Sequence, residues 1–466
     1  MTALGSRSAA ATAHGQIDGR SHPAYAEYRL SGVDWFQDVP AHWSVAPLYS
    51  RYEVQLGKML DTSRITGRYL APYLRNVDVQ WDCVNINDLP AMDFPPSVRE
   101  RYRLARGDLL VCEGGEVGRT AIWQDELEEC YYQKAVHRLR RRRPDEHPRF
   151  LFYVMQAAAS QGAFRAGSSL NTIDHLTAEK LRRHRLPFAP SDEQRAVSEF
   201  LDRETENIDA LVAKKQRLIE LLQEKRTALI SHAVTKGLDP DVPMQDSGIT
   251  GLGAIPAHWD FGVLRRAARL ESGHTPSRQH LEYWEGCDIP WFTLADIWQV
   301  RPGIQEYVRA TAECVSEAGL ANSSARLLPA GTVLLSRTAS VGYSAIAKCP
   351  MATSQDFANW ICGDALVPEY LLYVFRSMHG ELMRLTMGST HKTIYMPIIA
   401  KLAGPLPPMD EQRRIVEHIR RETRQVDALD VRLAQAMERL REYRSALITA
   451  AVTGQIDVRT YRQEAS

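Results

Sequence analysis

Two stretches of this chain share one rhythm of apolar positions. Over residues 192–235 the positions alternately four and three apart are Val197, Leu201, Glu204, Ile208, Leu211, Lys215, Leu218, Leu222, Lys225 and Leu229, and all but Glu204, Lys215 and Lys225 are apolar. Over residues 410–453 the same steps meet Ile415, Ile419, Glu422, Val426, Leu429, Leu433, Ala436, Leu440, Tyr443 and Leu447, with Glu422 the one charged member. A 4–3 repeat held over four heptads predicts a coiled-coil seam. Pro190 bars a helix from starting earlier, and Ser191 with Gln194 has the spacing of a capping box. At 1.5 Å per residue each stretch makes a rod of roughly 65 Å. One apolar stripe usually packs on a neighbouring core; two matched stripes of equal length favour pairing with each other.

The two rods are copies: a shift of 218 residues lays Asp192 on Asp410, Thr205 on Thr423, Asp209 on Asp427 and Arg226 on Arg444. The duplication extends beyond them. Pro40-Ala41-His42-Trp43 recurs as Pro256-Ala257-His258-Trp259, Gly57 as Gly273, and Gly167-Ser168 with Thr172 as Gly388-Ser389 with Thr393. The drifting offsets within one preserved order mean one ancestral unit duplicated, with a period far longer than solenoid repeats. Inside each copy, Gly107-Asp108-Leu109-Leu110 and Gly331-Thr332-Val333-Leu334 predict a turn entering a buried strand. Val117-Gly118 and Val341-Gly342 predict a hairpin turn into second strands at 120–123 and 344–347. Residues 150–159 and 370–378 have amphipathic helical spacing. The expected fold class is therefore α+β: two similar α+β domains (27–190 and 247–408) and two long helices (191–236 and 409–454), in a pseudo-two-fold internal repeat. A polar linker at 237–246, a leader at 1–26 read as disordered, and a tail at 455–466 complete the division.

Composition narrows the function classes. Lys plus Arg and Asp plus Glu both number 57, so the whole-molecule field gives no support for nucleic-acid binding and any affinity must be local. The seven cysteines are odd in number and never form C-x-x-C, which argues against a zinc site or a disulfide framework and fits a reducing cytoplasm. No apolar run reaches membrane-spanning length.

No enzyme motif is present: no P-loop, nucleophile elbow, H-E-x-x-H or Gly-rich dinucleotide turn. No metal or cofactor is expected. His42 and His258, each before a Trp, are read as structural. The polar features in matched places are more informative. Arg138, Arg140 and Arg141 lie in a basic run, with Arg182-Arg183-His184-Arg185 further on, and such clusters supply phosphate contacts as readily as they form a solvated face. The loops bearing Ser168, Ser169 and Asn171, and Ser389, Thr390, His391 and Lys392, carry the side chains that base edges and phosphates use, or are ordinary turns. Gln133-Lys134 and Gln355 fall on corresponding segments, and Gln suits an adenine edge. Arg119 and Arg337 lie in or beside the hairpin turns, where either could reach phosphate or guanine.

These features together resemble the specificity subunit of type I restriction–modification enzymes. The likeness rests on the Ser-Gly…Pro-x-His-Trp opener of each half, the Gly-Asp-Leu-Leu strand, the Leu-Pro…Glu-Gln lead-in, and the long helix closing in Ala-Leu-Ile-x-x-Ala-Val-Thr. It covers roughly residues 27–460. The resemblance implies two target recognition domains, each reading half of a bipartite double-stranded DNA sequence, and two helices paired as an antiparallel coiled coil that sets half-site spacing. It implies two modification (methyltransferase) subunits docked on that coil, restriction subunits as further partners, no catalysis by this subunit alone, and a cytoplasmic location. The halves diverge most at 61–102 and 277–326, as expected if each reads a different sequence. A coiled-coil adaptor that reads no DNA is the alternative from another class.

Overall fold

The computed structural model describes residues 16–17, 20–61, 66–164, 175–247, 253–387 and 392–462. The chain divides into two compact units. The first joins residues 1–214 to 436–466, and the second is 215–435. Both boundaries fall inside uninterrupted helices, Ser191–Lys236 and Met409–Val452. Each unit therefore holds the beginning of one rod and the end of the other. In the first unit Val197, Leu201 and Ile208 share a core with Leu447, Ile448, Ala451 and Val452. In the second, Ile230, Ala233 and Val234 share a core with Ile415, Val416 and Ile419. Start beside end in both units is an antiparallel pair.

The same ion pair recurs on these pairs. Arg444 Nε lies 3.0 Å from an oxygen of Asp209 in the first unit, and Arg226 Nε lies 3.1 Å from Asp427 in the second. These are the copies of one another predicted by the 218-residue shift. The seam itself differs from the expected one at every second position. Leu211, Leu218 and Leu429 are 42 %, 45 % and 46 % exposed, while Thr205, Thr423 and Met437 are each 4 % exposed. The inner face thus keeps Leu201, Ile208 and Leu222 but takes Thr205, Val212, Ile219 and Arg226 in place of Glu204, Leu211, Leu218 and Lys225, each one residue beyond the expected step. Of the expected positions, Val197, Leu201, Ile208, Ile415, Ile419, Val426 and Leu447 are buried, and Leu222, Leu229, Leu433 and Leu440 are half-buried. The inner polar residues are satisfied locally: Thr205 and Thr423 donate to the carbonyls of Leu201 and Ile419. Glu204 and Glu422, half-buried beside the inner face, pair with the adjacent Arg203 and Arg421.

In the first unit a four-stranded antiparallel sheet has the order Thr120–Ile122, Leu109–Cys112, Val136–Arg141, Tyr52–Leu56. A smaller sheet has the order Ala91–Asp93, Leu70–Leu74, Tyr131–Tyr132. The continuous apolar run Leu109–Cys112 splits between two cores by strand alternation. Leu109 and Val111 meet the helix Pro148–Ser160, and Leu110 and Cys112 face the cluster around Tyr132 and Trp123. The second unit repeats this. Its five strands run Ala268–Ser272, Phe357–Cys362, Val333–Ser336, Ser344–Ala347, Tyr307–Val308, and its three run Glu313–Val315, Ile289–Phe292, Ala352–Thr353. Val333 and Leu335 join the core of the helix Pro368–Ser377, and Leu334 the opposite one. Both strands are entered through a glycine at positive φ, Gly107 at 88° and Gly331 at 86°, a conformation that L side chains rarely adopt.

The repeated motifs at the rod starts have separate duties. Glu193 accepts from Tyr25 Oη at 2.9 Å and Trp43 Nε1 at 2.9 Å, and contacts His42 Nε2 at 2.8 Å. Glu411 contacts His258 Nε2 at 2.8 Å. Gln194 receives the backbone N–H of His147 and donates to Ala189, and Gln412 receives that of Val367 and donates to Pro407. Each glutamine thus ties a rod to the start of the helix beside it. This displaces the expected capping box: Ser191 Oγ lies 3.1 Å from His147 Nε2, and the Gln194 side chain is engaged elsewhere. The rod ends close on the openers of the same unit, Gly454 against Pro40 and Trp43, Gly237 against Pro256 and Trp259.

Three further expectations are corrected. The leader is not free where it is described: Ile17 and Tyr25 are 5 % and 6 % exposed in the first core, and Asp457 donates its backbone N–H to Pro23. The 237–246 linker is not wholly irregular, because Met244–Asp246 pairs with Ala254–Pro256. Cys287 and Cys314, 27 residues apart, form a disulfide joining the start of one strand to its neighbour. No helix among the described residues is long and apolar enough to cross a membrane.

Candidate nucleic-acid interface

In each unit several loops meet at one end of the larger sheet. In the first unit Gly57 approaches the carbonyl of Gln133 so closely that a Cβ would lie 2.2 Å from it. Lys58 N–H donates to Tyr132, and Lys134 N–H returns to Lys58. The hairpin turn adjoins them, since Glu113 N–H donates to Ala135. The segment carrying Ser168, Ser169 and Asn171 lies outside the described residues, but both its flanks are anchored here. Phe164 abuts Gly118, and Leu176 N–H donates to Glu113 while its carbonyl meets His137 Nε2 at 2.7 Å. His137 is buried, and that burial lowers its pKa.

The second unit builds the same cluster from different side chains. Gly273 would place a Cβ 2.0 Å from the carbonyl of Ser354, and His274 N–H donates to Thr353. Thr275 Oγ1 hydrogen-bonds Gln355 Oε1. Arg337 N–H donates to Asp356, Ala339 N–H to Lys392, and Ile394 N–H to Arg337. Ser389, Thr390 and His391 lie outside the described residues; Lys392, at their edge, is exposed.

The structure therefore brings Gln133 and Lys134 together with one hairpin turn, and Gln355, Arg337 and Lys392 with the other. Lys134 and Gln355 are exposed and Gln133 is half-buried. The two turn arginines hold the loops rather than project from them. Arg119 donates to the carbonyl of Asn76 at 2.9 Å, with its side chain 14 % exposed. Arg337 donates to Ile394, and burial lowers its pKa.

The basic run is corrected most. Strand Val136–Arg141 starts at the loop cluster and, at about 3.3 Å per residue, carries Arg141 roughly 16 Å away from it. Arg138 is 2 % exposed and donates to the carbonyls of Arg101 and Arg103. Arg140 grips buried Asp108 through Nε at 2.8 Å and Nη2 at 2.6 Å, which raises its pKa. Arg141 donates to Pro144 and Glu146 carbonyls. These are residues of the fold. Replacing Arg140 with alanine strands the Asp108 carboxylate, 1 % exposed, and should destabilise the first unit by roughly 2–4 kcal/mol, whereas exposed Arg143→Ala should change it by less than about 0.5 kcal/mol. Equal chemical-denaturation midpoints for the two variants would refute this.

The exposed cations lie elsewhere. Lys180, Arg182 and Arg183 stand on the short helix Ala178–Arg183, and Arg182 and Arg183 line a groove with Gln55 of the sheet edge and Arg101 of the helix Pro96–Tyr102. The Arg182–Arg183 pair was visible in the sequence; its neighbourhood with strand Tyr52–Leu56, about 130 residues earlier, was not.

Comparison with known proteins finds the same duplication. The family described as "Type I restriction modification DNA specificity domain" matches twice, over residues 53–221 and 257–436. The type I restriction enzyme MjaIX specificity subunit of Methanocaldococcus jannaschii is 35 % identical over 168 residues, which is 36 % of this chain and 38 % of that protein. The EcoR124I/EcoR124II specificity subunit of Escherichia coli is 25 % identical over 164 residues, 34 % of this chain and 39 % of its own length. The matched stretches thus span under half of either relative. A solved chain described by "complex assembly and conformational transition of the type I R-M system" shares the fold, with a TM-score of 0.68 at 17 % identity, covering 89 % of this chain and 98 % of that one.

Proposed function

Because this chain belongs to the type I restriction–modification DNA specificity family, matched over both of its halves, we propose that it is the subunit through which such an enzyme reads its DNA target. Each loop cluster reads one half of a bipartite, asymmetric double-stranded sequence. The antiparallel rods set the half-site spacing and dock two modification subunits, with restriction subunits as further partners. The chain itself performs no catalysis.

One observation carries this reading: the same loop cluster is built twice on the same scaffold with different exposed side chains. Gln133-Lys134 beside Gly57-Lys58 in one unit answers to Ser354-Gln355 beside Gly273-His274 in the other, so that exposed Lys134 is replaced by exposed Gln355. A shared frame keeps the binding geometry, and changed side chains change the bases contacted. Zero formal net charge means that phosphate attraction by this chain alone is weak, so the partner subunits supply much of the affinity.

Co-expression with the cognate modification subunit should give adenine methylation at a split motif with a fixed gap, read by methylome sequencing. An assembled complex that methylates no bipartite motif would sink the proposal.

The docking surface follows from the misplaced leucines. Leu211, Leu218 and Leu221 add a further apolar stripe to the first rod, and Leu429 an exposed leucine to the second, all 42–46 % accessible. A two-helix seam needs only two positions per heptad, and a third is what a larger bundle uses. Changing Leu211, Leu218 and Leu429 to serine should abolish co-purification with the modification subunit while shifting the free chain's stability by less than about 1 kcal/mol. An intact complex would refute that surface.

A further inference from the structure

The stretches where the two halves diverge contain one feature that their common scaffold repeats. After the central strand of each smaller sheet comes a 3₁₀ turn, Asn76–Asp78 in the first unit and Leu294–Gln299 in the second. In both, a buried aspartate in the third position of the turn, Asp78 at 2 % and Asp296 at 1 % exposure, accepts the backbone N–H of the residue before the turn. Asp78 accepts from the backbone and side chain of Arg75. Asp296 accepts from Thr293 N–H and Oγ1 and from Ala312 N–H. The next residue is a buried core member, Val79 at 0 % and Ile297 at 1 %. The residue after that points outward in both: Gln80, exposed, and Trp298, 70 % exposed.

The platform is contiguous with the loop cluster. The strand before it receives Gln133 N–H at Leu74 and Ser354 N–H at Phe292, each at 3.0 Å. In the first unit Asn76 Nδ2 donates to Gly114 of the hairpin turn. In the second, Arg301 lies over the ring of Tyr343, the residue following the turn glycine Gly342.

We propose that Gln80 and Trp298 are specificity-determining residues, and that Trp298 makes an apolar contact with the C5-methyl group of a thymine in the half-site read by the second unit. This rests on the DNA-reading function above. A rigid, twice-built mount with a divergent exposed side chain is what sequence readout by a duplicated frame requires. An indole left 70 % exposed offers a large apolar surface with no partner among the described residues, and in the major groove the apolar feature of a base edge is the thymine methyl. Gln80, whose Nε2 donates to Val77 at 2.7 Å, keeps its carbonyl oxygen as an acceptor for a base amino group.

The test uses the complex with its modification subunit. The methylated motif is first determined for the wild type, and then duplexes are made in which each thymine of the half-sites is replaced in turn by uracil, which lacks only the methyl group. The wild-type complex should bind one such duplex roughly three- to fivefold more weakly, with the effect confined to one half-site. Trp298→Ala should bind the unmodified target on the order of tenfold more weakly, lose that uracil sensitivity, and keep the wild-type melting temperature and the specificity for the other half-site. Unchanged affinity and uracil sensitivity in Trp298→Ala, or a wild-type complex that no thymine-to-uracil replacement weakens, overturns the assignment while the reading function stands. A wild-type complex with no bipartite motif overturns both.

Discussion

Replacing Glu193 with alanine should lower the stability of the first unit by roughly 3–5 kcal/mol, and the matched Glu411→Ala should cost the second only about 1 kcal/mol. The two glutamates occupy the same place in the repeat, so the asymmetry comes from what surrounds them. Glu193, with its side chain 10 % exposed, accepts from two buried donors, Tyr25 Oη and Trp43 Nε1, and from His42. Arg459 stands 3.8 Å away. Truncation leaves both buried donors without an acceptor, and each such loss costs about 1–3 kcal/mol. Glu411 meets His258, whose side chain is 46 % exposed and readily rehydrated, and Trp259 Nε1 has no hydrogen-bond partner to lose. Thermal or urea unfolding followed by tryptophan fluorescence should resolve a large shift for one variant and a small one for the other. Equal shifts would mean that the network around Glu193 does not hold the unit together.

Removing one heptad from both rods, residues 215–221 and 433–439, should abolish methylation of the original target and create a motif with the same half-sites and a gap shorter by at most about three base pairs. Seven residues shorten a helix by roughly 10.5 Å, and base pairs stack at about 3.4 Å. Seven residues also turn within about 20° of whole turns, so each domain keeps its facing on the rod. The deletion steps from Val212 to Leu222 on the inner face, and it retains the pairs Asp209–Arg444 and Arg226–Asp427. Deleting four residues instead would break the seam and should cost assembly. The methylome reads both results. An unchanged gap after the heptad deletion would mean that the rods do not set the spacing.

Much of this protein is legible in its sequence because the signals are local and are stated twice. The rods follow from periodicity and begin at Ser191 because Pro190 forbids an earlier start. The hairpins Leu109–Cys112 with Thr120–Ile122, and Val333–Ser336 with Ser344–Ala347, follow from glycine turns between apolar runs. Duplication puts Gln133-Lys134 and Gln355 on corresponding segments before any fold is known, but the backbone contacts set Gln133 against Ser354 and Lys134 against Gln355, one residue from the match of the two glutamines. The sequence could not choose the inner face of the rods. Leucine at 211 and 218 and valine or isoleucine at 212 and 219 are all apolar, and only folding leaves the leucines exposed and Val212 and Ile219 half-buried. The polar residues of the true seam, Thr205, Thr423 and Arg226, look like errors in a one-dimensional pattern and become acceptable through hydrogen bonds and an ion pair that folding supplies. Arginines mislead for the same reason. Arg138 and Arg140 read as surface charge until the carbonyls of Arg101 and Arg103 and the Asp108 carboxylate are brought beside them from elsewhere in the chain. The sequence by itself determined the duplicated order of elements and their apolar faces, because periodicity and turn chemistry are short-range. The tertiary structure alone decided which charges are spent on the fold and which, like Lys134, Arg182 and Arg183, remain exposed, because that depends on partners distant in the chain.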